Sequence, residues 1–94
     1  MHFVIYCLDK PNHGHVRAES RPAHVEYLKA SAAKIIAAGS MLTDDGEGMI
    51  GSTLIMTFAD RSEAETWAAN DPYAQAGLFE SVDIRAWKKV FPVD

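Results

Sequence analysis

Cysteine is nearly absent from this chain, and so is any excess of positive charge. The one cysteine, Cys7, rules out an internal disulfide. It lies in the apolar run from Phe3 to Leu8, where a small core hydrophobe is its expected role. No neighbouring cation in that run would lower its pKa, so a catalytic thiol is not expected. Nine Lys and Arg face thirteen Asp and Glu, for a net charge of −4. That sign repels phosphate backbones and anionic bilayer surfaces. The one basic grouping, Arg85 with Lys88 and Lys89, is too small to reverse it. Neither nucleic acid nor membrane is an expected partner. No apolar run approaches the roughly 20 residues of a bilayer span. The first apolar run also lacks a basic flank and a small-residue cleavage site, so a soluble, cytoplasmic protein is expected. Walker loop and nucleophile-elbow patterns are missing. Asp44, Asp45 and Glu47 do not follow the EF-hand spacing. The imidazoles of His13 and His15 have no thiolate or carboxylate at ligand spacing. No metal and no cofactor are expected.

What the chain does have is apolar content, 48% of 94 residues, enough for one core with little to spare. A single domain over residues 1–94 is expected. His2 to Leu8 is short and rich in β-branched and aromatic residues, which predicts a strand. Pro11, Asn12 and Gly14 mark a loop. A long helix is predicted from about Arg21 to Ala38, capped by Ser20, with Pro22 in its first turn and Gly39 just past its end. Its apolar stripe would be Val25, Leu28, Ala32, Ile35 and Ile36. Ser40 to Thr43 predicts a brief second strand, Asp44 to Gly48 an acidic turn, and Gly51 to Ala59 a strong third strand. Asp60 and Ser62 both offer caps for a second helix to Asn70, with Ala64, Trp67 and Ala68 inward. Asp71-Pro72 starts a short helix that Gly77 ends. Leu78 to Val90 predicts the last strand.

The order is β-α-β-β-α-β, the ferredoxin-like α+β arrangement with both helices on one face of an antiparallel sheet. Strands one and three are apolar on both faces. Phe3, Ile5 and Cys7 oppose Val4, Tyr6 and Leu8, and Leu54, Met56 and Phe58 oppose Thr53, Ile55 and Thr57. Two helices cover one face only, so a second copy of the chain is expected on the other, giving a homodimer built as a dimeric α+β barrel. His24 lies on the edge of the predicted helical stripe, pointing a titratable imidazole toward the sheet. A core-edge histidine bonded to a backbone carbonyl is the simpler alternative.

The chain resembles the YciI-like (YCII-related) family. Tyr6, Arg21-Pro22-Ala23-His24, Gly51-Ser52-Thr53, Trp67, Asp71-Pro72-Tyr73 and Lys88-Lys89-Val90-Phe91 carry the resemblance in their order and spacing, along essentially the whole chain. It implies a dimeric ferredoxin-like α+β barrel with a site centred on a His and an Asp, here His24 and Asp71. One branch of the family resembles dehydrochlorinases of chlorinated hydroxyhydroquinones. The loop from Asp44 to Ile50 is shorter than is usual there.

On that reading Asp71 orients the imidazole and raises the basicity of its free nitrogen. It is also an N-cap candidate, and a carboxylate has lone pairs for both tasks. Ser52 or Thr53, after a glycine that permits close backbone approach, could bind a ligand oxygen. Tyr6 and Tyr73 supply apolar walls with a polar tip, and Arg21 could pair an anionic group. The function expected is cofactor-independent acid–base chemistry, elimination or isomerisation, on a small polar or cyclic substrate. The rival is a non-catalytic, metabolite-binding or accessory dimer. A cofactorless monooxygenase or muconolactone-isomerase-like activity is a third possibility, because fold does not settle function.

Overall fold

A computed structural model describes residues 1–93. Its elements run β1 (His2–Asp9), α1 (Gly14–Ala30), a 3₁₀ turn (Ala32–Lys34), β2 (Ile35–Leu42), β3 (Met49–Thr57), α2 (Arg61–Ala69), α3 (Pro72–Gln75) and β4 (Phe79–Trp87). The four strands form one antiparallel sheet in the order β2-β3-β1-β4. This is the ferredoxin-like α+β fold.

Strand parity decides which side chains reach the core. β1 pairs with β3 so that Phe3 faces Met56, Ile5 faces Leu54 and Cys7 faces Ser52. These residues are buried, together with Phe58 and Ala64 of the adjoining segments. The intervening pairs, Val4 with Ile55 and Tyr6 with Thr53, belong to the opposite, open face. Two stacked or hydrogen-bonded aromatics tie α1 to α2. The rings of Tyr27 and Trp67 lie 4.8 Å apart, Tyr27 Oη donates to the Trp67 carbonyl at 2.8 Å, and Trp67 Nε1 donates to Ser31 Oγ at 2.8 Å.

The second half of the chain follows the sequence closely. Asp60 accepts from the Glu63 N–H and caps α2, and Asp71 accepts from the Tyr73 N–H and caps α3. Gly77 ends α3 with φ +74°, a left-handed backbone that favours glycine.

The first helix is displaced from its expected span. It begins at Gly14 and ends at Ala30, so Ser20 lies inside it and is not a cap. Pro22 is an interior residue rather than a first-turn one. Ile35 and Ile36 open β2, and Gly39 is a strand residue opposite Thr53 rather than a helix terminator. Two causes account for this. The inward side of α1 is polar over its first turns, with Arg17 and His24 both buried, so an apolar stripe does not mark where it starts. Ile35 to Ala38 is a short apolar run, and such a run fits helix or strand by periodicity alone.

Candidate active site

The polar end of the helix-covered sheet face is assembled from four elements. β1 and β3 contribute Cys7, Asp9 and Ser52, α1 contributes Arg17, Arg21 and His24, and the start of α3 contributes Asp71 and Tyr73. Arg17, His24, Ser52, Asp71 and Tyr73 are all buried. Together with Arg21, Leu28, Leu54 and the β2 segment Ala38 to Ser40, His24, Ser52 and Tyr73 line a cavity of about 230 Å³.

His24 Nδ1 lies 2.8 Å from Asp71 Oδ1. A carboxylate only accepts, so Nδ1 carries the hydrogen of this bond and Nε2 is left for a ligand. The same Oδ1 accepts from the Tyr73 N–H at 2.9 Å. Asp71 thus caps α3 and holds the imidazole at once. The His24 and Tyr73 rings stack at 3.9 Å with an interplanar angle of 15°, which fixes the imidazole plane from one side.

Arg17 is the residue that the sequence did not reveal. Its Nε and Nη2 donate to the two oxygens of Asp9 at 2.7 and 2.8 Å, a bidentate pair, and Nη2 also donates to Ser52 Oγ at 3.1 Å. Its Cζ stands 4.7 Å from the Tyr73 ring centroid, and its Nη1 is buried without a hydrogen-bond partner. Burial works against the charge, but the bonds and charge of Asp9 outweigh it and raise the Arg17 pKa. The available signal was an arginine eight residues from an aspartate across a short loop, a spacing that carries little weight until α1 is known to begin at Gly14.

Burial, with Asp71 and Asp9 nearby, pushes the Cys7 thiol up to about 12, against a smaller opposing effect of Arg17. At neutral pH it is a thiol, not a nucleophilic thiolate. Burial likewise raises the Tyr73 phenol, partly offset by Arg17 and Arg21. Tyr73 therefore meets the cavity as a neutral phenol.

Two expected ligand contacts are not brought here. Tyr6 and Thr53 pair with each other on the open face of the sheet, away from His24, because both have the wrong strand parity. Arg21 is exposed and stands at the cavity margin. His13, just before α1, and His15, in its first turn, have ring centroids 6.0 Å apart, and His13 Nδ1 pairs with the Pro11 carbonyl. Among the described residues, no group of three or more His, Cys, Asp or Glu side chains is placed to hold a metal ion. No helix among them is long and apolar enough to cross a membrane.

The four-stranded antiparallel sheet with its helices on one face makes this a ferredoxin-like α+β protein, with a small cavity that His24 lines. This chain belongs to the YCII-related domain family, whose model matches residues 1–88. It is 37% identical to protein YciI of Escherichia coli over 97% of this chain and all of that protein. An uncharacterized protein of Haemophilus influenzae is equally similar, with the same coverage. Among solved structures, it is similar to the 5-chloro-2-hydroxyhydroquinone dehydrochlorinase of Burkholderia phenoliruptrix in complex with 2,5-dihydroxybenzoquinone. That likeness has a TM-score of 0.87 and 37% identity over 94% of both chains. A Pseudomonas aeruginosa protein shares the fold at a TM-score of 0.56 and 13% identity, covering 95% of this chain and 92% of that one.

Proposed function

We propose that this protein is a cofactor-independent acid–base enzyme acting on small, cyclic, hydroxylated substrates by elimination or isomerisation. The observation that carries the reading is the 2.8 Å His24–Asp71 hydrogen bond, which holds an imidazole that lines the cavity. Asp71 occupies Nδ1, so Nε2 is the basic nitrogen. In an elimination, Nε2 takes a C–H or O–H proton. The electron pair left behind forms a new C=C or C=O bond, and the leaving group departs with the electrons of its own bond. In an isomerisation, the imidazolium returns the proton at a different carbon. The dehydrochlorinase likeness, at 37% identity over nearly the whole chain, supports a hydroxylated ring as the substrate class and chloride as one leaving group.

The open sheet face supports a homodimer as the working form. Val4, Leu8 and Ile55 lie there partly exposed, and Tyr6 retains 41% of its surface. Among the described residues, no helix covers them. A second copy placed face to face would bury this surface as an α+β barrel.

The decisive experiment is turnover of 5-chloro-2-hydroxyhydroquinone and related chlorinated and unchlorinated hydroquinones, followed by chloride release and absorbance across pH. A bell-shaped profile that disappears in His24→Ala supports catalysis. Saturable binding with no turnover above the His24→Ala background replaces it with a metabolite-binding role. Light scattering at micromolar concentration tests the dimer, and a monomer mass refutes it.

A further inference from the structure

We propose that Arg17 presets Ser52 as the hydrogen-bond donor that binds a substrate oxyanion, opposite the base His24. The inference deepens the acid–base reading of the same cavity and rests on it for the identity of the base. Arginine has donors only, so the 3.1 Å Nη2–Oγ contact makes Ser52 the acceptor. The serine hydrogen is therefore directed elsewhere. Ser52 is 3% exposed and lines the cavity, and among the described residues its one partner is Arg17. A ligand oxygen is the acceptor that completes its bonding.

Arg17 itself is not free to turn. Asp9 grips it through both oxygens, and its guanidinium lies against Tyr73. Nη1 is buried with no hydrogen-bond partner, so one donor of the guanidinium behind Ser52 is not spent on the protein's own acceptors. Polarised from behind in this way, the Ser52 O–H is a stronger donor than an isolated serine. The cavity then has two arms, each anchored by a carboxylate. Asp71 holds His24 as proton acceptor, and Asp9 holds Arg17, which sets Ser52 as proton donor. A ligand that loses a proton at one end and gathers negative charge on an oxygen at the other suits both arms. That class comprises phenols, enols and ketones with an acidic neighbouring C–H, and excludes hydrocarbons and simple amines. Ser52 is the residue that touches the oxyanion, and Arg17 is a positioning residue.

The test is equilibrium binding of 4-nitrophenol and nitrobenzene, which share size and shape but not the ionisable oxygen. Bound nitrophenol should absorb as phenolate at a pH where the free compound is largely neutral, and should bind better than nitrobenzene. Ser52→Ala should cut that preference about tenfold or more, the scale of one lost hydrogen bond to a charged group, with nitrobenzene affinity unchanged. Ser52→Thr, which keeps the hydroxyl, should retain it. Arg17→Lys should weaken the phenolate signature while leaving nitrobenzene binding intact. His24→Ala should keep the preference while turnover is lost, which separates this proposal from the catalytic one. No preference in the native protein, or an unchanged preference in Ser52→Ala, overturns the proposal.

Discussion

The two ends of one sheet face differ more than the two faces do. Both ends are covered by helices and built from β1 and β3. At one end Phe3, Met56 and Phe58 pack with Ala64 into a dry core. At the other, only a few residues along the same strands, Cys7 and Ser52 meet a buried arginine, histidine and aspartate. A buried charge costs free energy unless it is paired. The polar end meets that condition with two carboxylates, one for each cationic or protonatable group. The comparison teaches that apolar packing and paired polar groups are divided along the strands. The dry end holds the fold, and the polar end is free to carry groups that a core would reject.

The sharpest way to probe this division is to remove the imidazole. His24→Ala should lower turnover by about 10²–10⁴-fold, the usual contribution of a general base, while stability falls by about 1 kcal/mol. Equal losses of folding and activity would erase the distinction between the ends. Asp71→Asn should keep the α3 cap, since asparagine caps well, and still slow turnover about tenfold or more through the misheld ring. Thermal melts beside initial rates separate the two effects.

At the dry end, Met56→Ala empties a site that is 0% exposed. It should cost about 2–5 kcal/mol in denaturant unfolding, with the activity of the folded fraction retained. A smaller effect comes from alkali. The Cys7 pKa is raised from 9.0 to about 12, so the folded state keeps a proton that the unfolded chain loses. This contribution to stability is fully present below pH 9.0 and is lost as pH rises through about 12. The slope approaches about 1.4 kcal/mol per pH unit at most. Cys7→Ala should flatten the alkaline limb, with a residue of slope from Tyr27 and Tyr73, both also raised by burial. The smallest effect belongs to the surface. Lys29 and Glu26 form an exposed pair at 3.3 Å, and Lys29→Ala should change stability by less than about 0.5 kcal/mol.

Strand parity, the caps at Asp60 and Asp71, and the turn at Gly77 were all legible in the residues, because each depends on local chemistry. The start of α1 was not. Its buried side is written in Arg17 and His24, while the apolar periodicity continues beyond its end into Ile35 and Ile36 of β2. Arg17 was lost with the helix that carries it. The His24–Asp71 contact was reachable only through family resemblance, since 47 positions separate the two residues and the pairing depends on how α1 crosses α3. Tyr6 and Thr53 show the opposite lesson. Their alternation with Ile5 and Leu54 already placed them on the far face, and resemblance overrode a parity that the strand had fixed.

Gly51 ties these threads to the history that such a chain can have. A Cβ built there falls on the Cys7 carbonyl oxygen and lies 2.5 Å from the tip of Met41. Met41 could swing aside, but the carbonyl is backbone and could not. Any side chain at this position would wedge β1 from β3 beside Ser52, the serine that Arg17 grips across that seam. The cavity can therefore vary at its rim, where Arg21 and the exposed β2 residues Ala38 to Ser40 lie, while the β1–β3 seam beside Ser52 accepts only glycine at position 51. Descendants of this chain that acquire new ligands should do so by changing the rim and leaving the glycine alone.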